Sequence, residues 1–233
     1  MTAGVPVGWG AVDGARVEKI GNGALEGARE MLLCAECRAA SERIAREGLD
    51  GLPWTDAARR FLARCRFVGA CGRQADWPDF SETALLATAG EWLLPFGRWD
   101  GGAVFTGEVL LQALTGRLGG RNRRILDEAA PESLTLPSGS KRRIDYETGA
   151  VPVVAARLQE FFGCRETPRL CGEPLLLHLL SPAGRPVQIT RDLDGFWVRG
   201  YPEVKRELMG RYPRHAWPDD PRSAPPTARP KRK

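Results

Sequence analysis

Eight cations in the last hundred residues have the character of a polyanion grip. Lys141, Arg142 and Arg143 are consecutive. Arg185 closes the turn string Pro182-Ala183-Gly184-Arg185. Arg191, Arg199, Lys205 and Arg206 follow among Phe196, Trp197 and Tyr201. Cations neutralise phosphates and aromatic rings stack on bases, which is the chemistry that single-stranded RNA asks for. The same three rings also fit the core of a pair of closing helices, and at the level of sequence both readings stand. The charge is lopsided. Residues 131–233 carry 18 Lys/Arg against 12 Asp/Glu, whereas residues 1–130 carry 16 against 17. Basicity gathered in one half points to a polyanion, or to a solvated surface with a basic tail.

No catalytic constellation accompanies these cations. A phosphate cradle of the form G-x-x-x-x-G-K-[ST] is absent from the 233 residues, so the ATPase machinery built on it is not expected here. Asp127-Glu128-Ala129-Ala130 only superficially looks like a DEAH box and reads as a helix surface before Pro131. His178 is the one histidine placed for Ser-His-Asp chemistry. It lies inside Leu175–Leu180 with no G-x-S-x-G elbow, and strand alternation sets it on a face with Leu176 and Leu180. Asp192 is more simply a helix cap than half of a carboxylate pair with Asp194. Of six cysteines, only Cys34 and Cys37 have C-x-x-C spacing, and no second ligand pair follows at zinc-site distance. Catalytic residues, metal ligands and cofactors are therefore all expected to be absent. No apolar run reaches the roughly 18–20 residues that cross a bilayer, and the N-terminus lacks the marks of a secretory signal; a cytoplasmic location is expected.

The elements that must position the cations follow from periodicity and turn chemistry. Residues 1–33 read as short strands broken by Asp13-Gly14 and Gly21-Asn22-Gly23. Residues 34–130 read as helices. Thr55, Ser81 and Thr106 are caps, each followed by a stripe at helical spacing: Ala58, Phe61, Leu62, Cys65 and Val68; Leu85, Leu86, Ala89, Trp92 and Leu93; Leu110, Leu111, Leu114 and Leu118. Arg59, Arg60, Arg64 and Arg66 fall largely off the first stripe, and a solvated face is expected. Residues 131–217 change pattern. Strands are expected at Leu134–Pro137 and Lys141–Tyr146, a helix opened by Pro152 with Val154, Leu158, Phe161 and Phe162 on one face, strands at Leu175–Leu180 and Val187–Thr190, and a last helix opened by Pro202. The β-β-α-β-β-α order predicts an α+β domain with antiparallel hairpins. Residues 218–233, rich in Pro and basic groups, predict a disordered tail.

Long strings carry a family resemblance. The run LLLHLLSPAGRPVQITRDLDGFWVRGYPEVKRELMGRYPRHAWPDDP (175–221) resembles the C-terminal signature of the HrpB family of bacterial DEAH-box ATP-dependent RNA helicases. So do LTLPSGSKRRIDYE (134–147), ARLQEFFG (156–163) and ETPRL (166–170). RVEKIGNGALEGAREM (16–31) is similar to a strand segment of that family's OB-like domain. LDGLPWTDAARRFLARCRF (49–67) and DWPDFSETALLATAGEWLLPF (76–96) are similar to the helical stretch after it; residues 97–125 match loosely. The resemblance implies an accessory region without a motor of its own, touching RNA, the helicase core, or both. Two other readings stay open: a protein-interaction module docking on a separately encoded core, and a remnant of a helicase gene.

Overall fold

The computed structural model describes residues 35–72, 76–99 and 103–228. The strands expected over 1–33, with the OB-like expectation attached to them, lie outside the described residues, as does Cys34. The chain divides into two compact units, residues 1–126 and 127–233. The second unit therefore begins four residues before the expected boundary.

The described residues of the first unit are mainly helical: α1 (Ala35–Glu47), α2 (Asp56–Ala70), α3 (Glu82–Ala87), α4 (Ala89–Trp92) and, after a two-residue ladder of β1 (Arg98–Trp99) with β2 (Ala103–Val104), α5 (Gly107–Leu118). Helix α6 (Gly120–Ala129) crosses the boundary between units. The three expected caps form. Thr55 Oγ1 accepts from Ala58 N at 3.2 Å, Ser81 Oγ from Ala84 N at 3.2 Å, and Thr106 Oγ1 from Val109 N at 3.3 Å. Each satisfies an amide that the first helical turn leaves without a backbone partner. Helix α5 packs on α2, and the approach is close at Gly107: a Cβ there would lie 2.2 Å from Thr55 Cγ2. Phe61, Leu62, Cys65, Val68, Leu85, Trp92, Leu110 and Leu114 are buried, as their stripes require. The solvated arginine face needs one correction. Arg64 is only 3% exposed; Arg59, Arg60 and Arg66 keep to the outside, Arg66 while its Nε donates to Phe80 O at 2.9 Å.

The second unit is a two-layer α+β domain. Its sheet has the order β3 (Ser133–Thr135), β4 (Lys141–Asp145), β5 (Val153–Arg157), β8 (Leu176–Leu180), β9 (Pro186–Thr190). Only the β5–β8 pair is parallel. A short ladder of β6 (Arg169–Leu170) with β7 (Glu173–Pro174) lies in the crossover. Helices α7 (Leu193–Arg199) and α8 (Tyr201–Met209) cover one face. Ile144, Val154, Ala156, Leu177 and Leu179 point to that face and meet Phe162, Phe196, Trp197 and Tyr201. The four rings lie 5.1–6.5 Å apart by centroid, mostly edge to face, a geometry that their quadrupoles favour.

Two expectations fail in this unit. Pro152 opens strand β5, not a helix, and only a 3-10 turn follows at Leu158–Phe161. Proline is tolerated at the first residue of a strand as well as at the start of a helix. The β-branched Val153-Val154 then favours the strand, where Val154 and Ala156 share the inward face. The disordered tail is also corrected for its described part. Pro218 O accepts from Tyr201 Oη at 3.0 Å, Pro221 O from Gly163 N at 2.9 Å, and Ala228 O from Arg157 Nη1 at 3.3 Å, while Thr227 N donates to Gln159 O at 2.9 Å. Pro221 is buried. A Pro-rich strap loses little backbone entropy on docking and offers carbonyls to these donors.

A buried carboxylate ties the hairpin to this frame. Glu160, fully buried in the 3-10 turn, receives Arg142 Nη2 at 2.6 Å on one oxygen and Arg142 Nε at 3.2 Å on the other. Ser140 Oγ donates to the second oxygen, and Arg157 N reaches the first at 3.4 Å. Burial acts to raise the Glu160 pKa. The hydrogen bonds from Arg142 and Ser140 and the guanidinium charge act against it and prevail, so the net direction is down. Replacing Glu160 with Gln leaves Arg142 without its counter-charge and is expected to cost about 2–4 kcal/mol in chemical denaturation at neutral pH. Because the folded pKa lies below the ordinary 4.5, stability from this group is complete above that value and is lost as pH falls through the folded one. The Glu160→Gln protein should therefore lose less stability than the wild type over that acid range. Equal losses in both would remove the assignment.

Candidate nucleic-acid interface

The structure sorts the eight predicted cations into two groups. Four are held by carboxylates. Arg142 is half-buried against Glu160. Arg191 bonds Glu173 at 3.1 Å through Nη2 and donates Nε to Pro174 O at 3.2 Å. Arg199 Nη2 lies 2.8 Å from Asp192. Lys205 Nζ lies 2.5 Å from Asp219 and donates to Pro218 O at 3.2 Å. The other four, Lys141, Arg143, Arg185 and Arg206, are exposed and pair with no carboxylate among the described residues.

The held cations work as structural clamps. Asp192 caps α7 by accepting Gly195 N at 2.9 Å while holding Arg199. The backbone amide, then Arg199, lowers its pKa. The pair lies directly over Gly195, where a Cβ would fall 1.9 Å from Asp192 Oδ2 and 2.2 Å from Arg199 Nη2. Asp219 is likewise lowered by Lys205, and their contact fastens the strap to α8. Exposed ion pairs of this kind contribute little stability, but each neutralises a cation that sequence reasoning offered to a phosphate.

The free cations do not form one patch. Strand alternation and exposure put Lys141 and Arg143 on the sheet face opposite the helices, since Ile144 and Arg142 point inward. β4 begins, β5 ends, β8 ends and β9 begins at the same end of the sheet, so Arg185, in the β8–β9 turn, sits at the end where Lys141 lies. Arg206 is on the solvent side of α8, in the other layer. The cations that the sequence offers are thus divided between the sheet and the helical layer. Of the two readings of Phe196, Trp197 and Tyr201, the core one holds: all three are buried, and Trp197 Nε1 and Tyr201 Oη are spent on Cys164 O and Pro218 O.

Other candidate chemistry resolves simply. His178 is half-buried on the outward sheet face, opposite Ala155 on one side and Ile189 on the other, as alternation implied. Burial pushes the Cys65 thiol up to about 12, keeping it protonated, and raises Cys164 as well. Among the described residues no cluster of His, Cys, Asp or Glu could hold a metal ion, and no helix is long and apolar enough to cross a membrane. Sequence reasoning missed Glu160, whose place in ARLQEFFG reads as one more polar residue of an amphipathic helix.

Comparison with known proteins fits this frame. A family model described as HrpB C-terminal, ATP-dependent helicase C-terminal, matches residues 92–221. The ATP-dependent RNA helicase HrpB of Escherichia coli (strain K12) is 41% identical over 194 residues, which are 81% of this chain and 24% of that protein. A crystal structure of the E. coli DExH-box NTPase HrpB matches with a TM-score of 0.71 and 40% identity, again over 81% of this chain and 24% of the other. A second E. coli structure, titled as the DEAH/RHA helicase HrpB, gives a TM-score of 0.59 and 37% identity over 76% and 23%. The chain thus spans about a quarter of the length of these relatives. With more than half of its residues inside the family model and its fold shared with solved HrpB structures, this chain belongs to the HrpB C-terminal family of ATP-dependent helicases.

Proposed function

We propose that this chain is an accessory RNA-contacting region of an HrpB-type helicase, with nucleotide hydrolysis supplied by motor domains outside these 233 residues. The observation that carries the reading is the division of its cations. Four of the eight cations are held by carboxylates, as Arg142 by Glu160 and Lys205 by Asp219. Lys141, Arg143, Arg185 and Arg206 stand in solvent without one among the described residues. A cation kept unpaired at the surface is available to a phosphate, and binding then releases the counterions condensed on the nucleic acid.

The mechanism is electrostatic and needs no reacting group. Affinity for single-stranded RNA should fall linearly in log–log form with salt, each phosphate contact contributing a slope of about 0.7. Anisotropy titrations with single-stranded RNA at increasing salt test this. Replacing Lys141, Arg143, Arg185 and Arg206 together by Ala should weaken binding and flatten the slope, by about 0.7 for each cation that makes a contact. Arg191→Ala and Arg199→Ala should change both much less. An absence of binding at low salt, or a wild-type slope near zero, would contradict the reading. The same protein should not hydrolyse ATP when RNA is added; turnover from the purified chain would also contradict it.

A further inference from the structure

We infer that the RNA seat is the outward face of the five-stranded sheet, with the nucleic-acid strand running from Lys141 and Arg143 across Ala155 to His178, Ile189 and Arg185. The inference rests on the reading given under Proposed function and assigns it a place. Four observations converge. Among the described residues of this unit no helix crosses the centre of the sheet face away from α7 and α8: Ala155 is exposed and Ile189 is 52% exposed. The register pairs Ala155 with His178 and His178 with Ile189, and one more step of the β4–β5 ladder sets Arg143 opposite Ala155. These residues form a single transverse row. Its middle is the small side chain of Ala155, so the row dips between a guanidinium and an imidazole.

The charge on this face complements a polyanion. Lys141 and Arg143 lie at one margin, and Arg185 lies at the corner where β8 turns into β9. None of the three meets a carboxylate among the described residues. One acidic residue lies on the same face, Asp145: burial acts to raise its pKa, but hydrogen bonds and the nearby His178 lower it, so it stays anionic, at the end of the sheet away from Lys141 and Arg185. Its oxygens accept Glu147 N at 2.7 Å, Thr148 N at 3.2 Å and the Thr148 hydroxyl. From β4 to β9 is three strand spacings, about 14 Å, enough for a short stretch of single strand. Phosphates would meet the cations at the two margins. A base would rest on the Ala155 floor, against the His178 ring and the Ile189 side chain, the ring being free of hydrogen bonds to described residues. Stacking of this sort tolerates any base, so the seat would read strand and backbone, not sequence. The alternative occupant, another protein domain, would find Val153, Leu176, Leu180 and Ile189 on this face, but it would bury the cations at the margins, which pair with no carboxylate among the described residues, and this favours a polyanion.

The test is a set of point variants in the full chain, with single-stranded RNA as the probe at about 0.15 M salt and folding checked by thermal denaturation. Ala155→Glu and Ile189→Glu should each weaken binding tenfold or more, and Lys141→Glu with Arg143→Glu should do the same. Arg206→Glu, on α8 in the other layer, should cost less affinity than any of these. If RNA binds but only Arg206→Glu weakens it, the seat is overturned while the RNA reading survives. If the wild type binds no RNA, that reading fails and the seat with it. If Ala155→Glu leaves RNA affinity intact and instead abolishes capture of the motor portion of an HrpB-type helicase, the face belongs to a protein partner and the inference is overturned.

Discussion

The Arg142–Glu160 contact is the constraint on which the second unit depends. A carboxylate without any exposure is tolerable only when its oxygens are filled by donors and its charge is matched. Arg142, Ser140 and the Arg157 amide do both. These donors come from β4, from the turn before it, and from the end of β5. The single acid therefore sets where the hairpin lies relative to the 3-10 turn and its two buried phenylalanines, Phe161 and Phe162. Because side chains alternate along β4, turning Arg142 inward turns Lys141 and Arg143 outward. The structural cation thus fixes the direction of the two that remain for a ligand.

The same division of labour recurs at the other end of the domain. The Asp192 cap of α7 holds Arg199, and Asp219 of the strap holds Lys205, so the helical layer neutralises its most central cations. The aromatic residues between them are consumed by the core. Sequence places cations and rings together there and makes that segment look like the nucleic-acid surface. Folding leaves it Arg206, whereas the opposite face of the sheet, with fewer cations, keeps Lys141 and Arg143 open.

Local chemistry was the legible part of the fold. Thr55, Ser81, Thr106 and Asp192 are caps because a hydroxyl or carboxylate meets an amide three residues on, and nothing distant alters that. The hairpin around Ser138-Gly139-Ser140 and the run Leu176–Leu180 are likewise set by turn residues and apolar content. The helix at Pro152 was misread because a dense apolar run fits both periods, and the choice belongs to the parallel pairing of β5 with β8, made by residues over twenty positions apart. Glu173, Glu160 and Asp219 as partners of Arg191, Arg142 and Lys205 were illegible for the same reason: ion pairing depends on which segments the fold brings together. The strap at 218–228 was read by composition, which counts missing apolar side chains and overlooks carbonyls that serve as acceptors. The family resemblance, by contrast, rests on long ordered strings and needed no folding to be seen.

Photocrosslinking of single-stranded RNA to the chain, followed by peptide mapping, tests the central claim most directly. The account predicts adducts on β4, β5, β8 and β9 at outward-facing positions around Ala155 and His178. Adducts confined to α7 and α8 would contradict it.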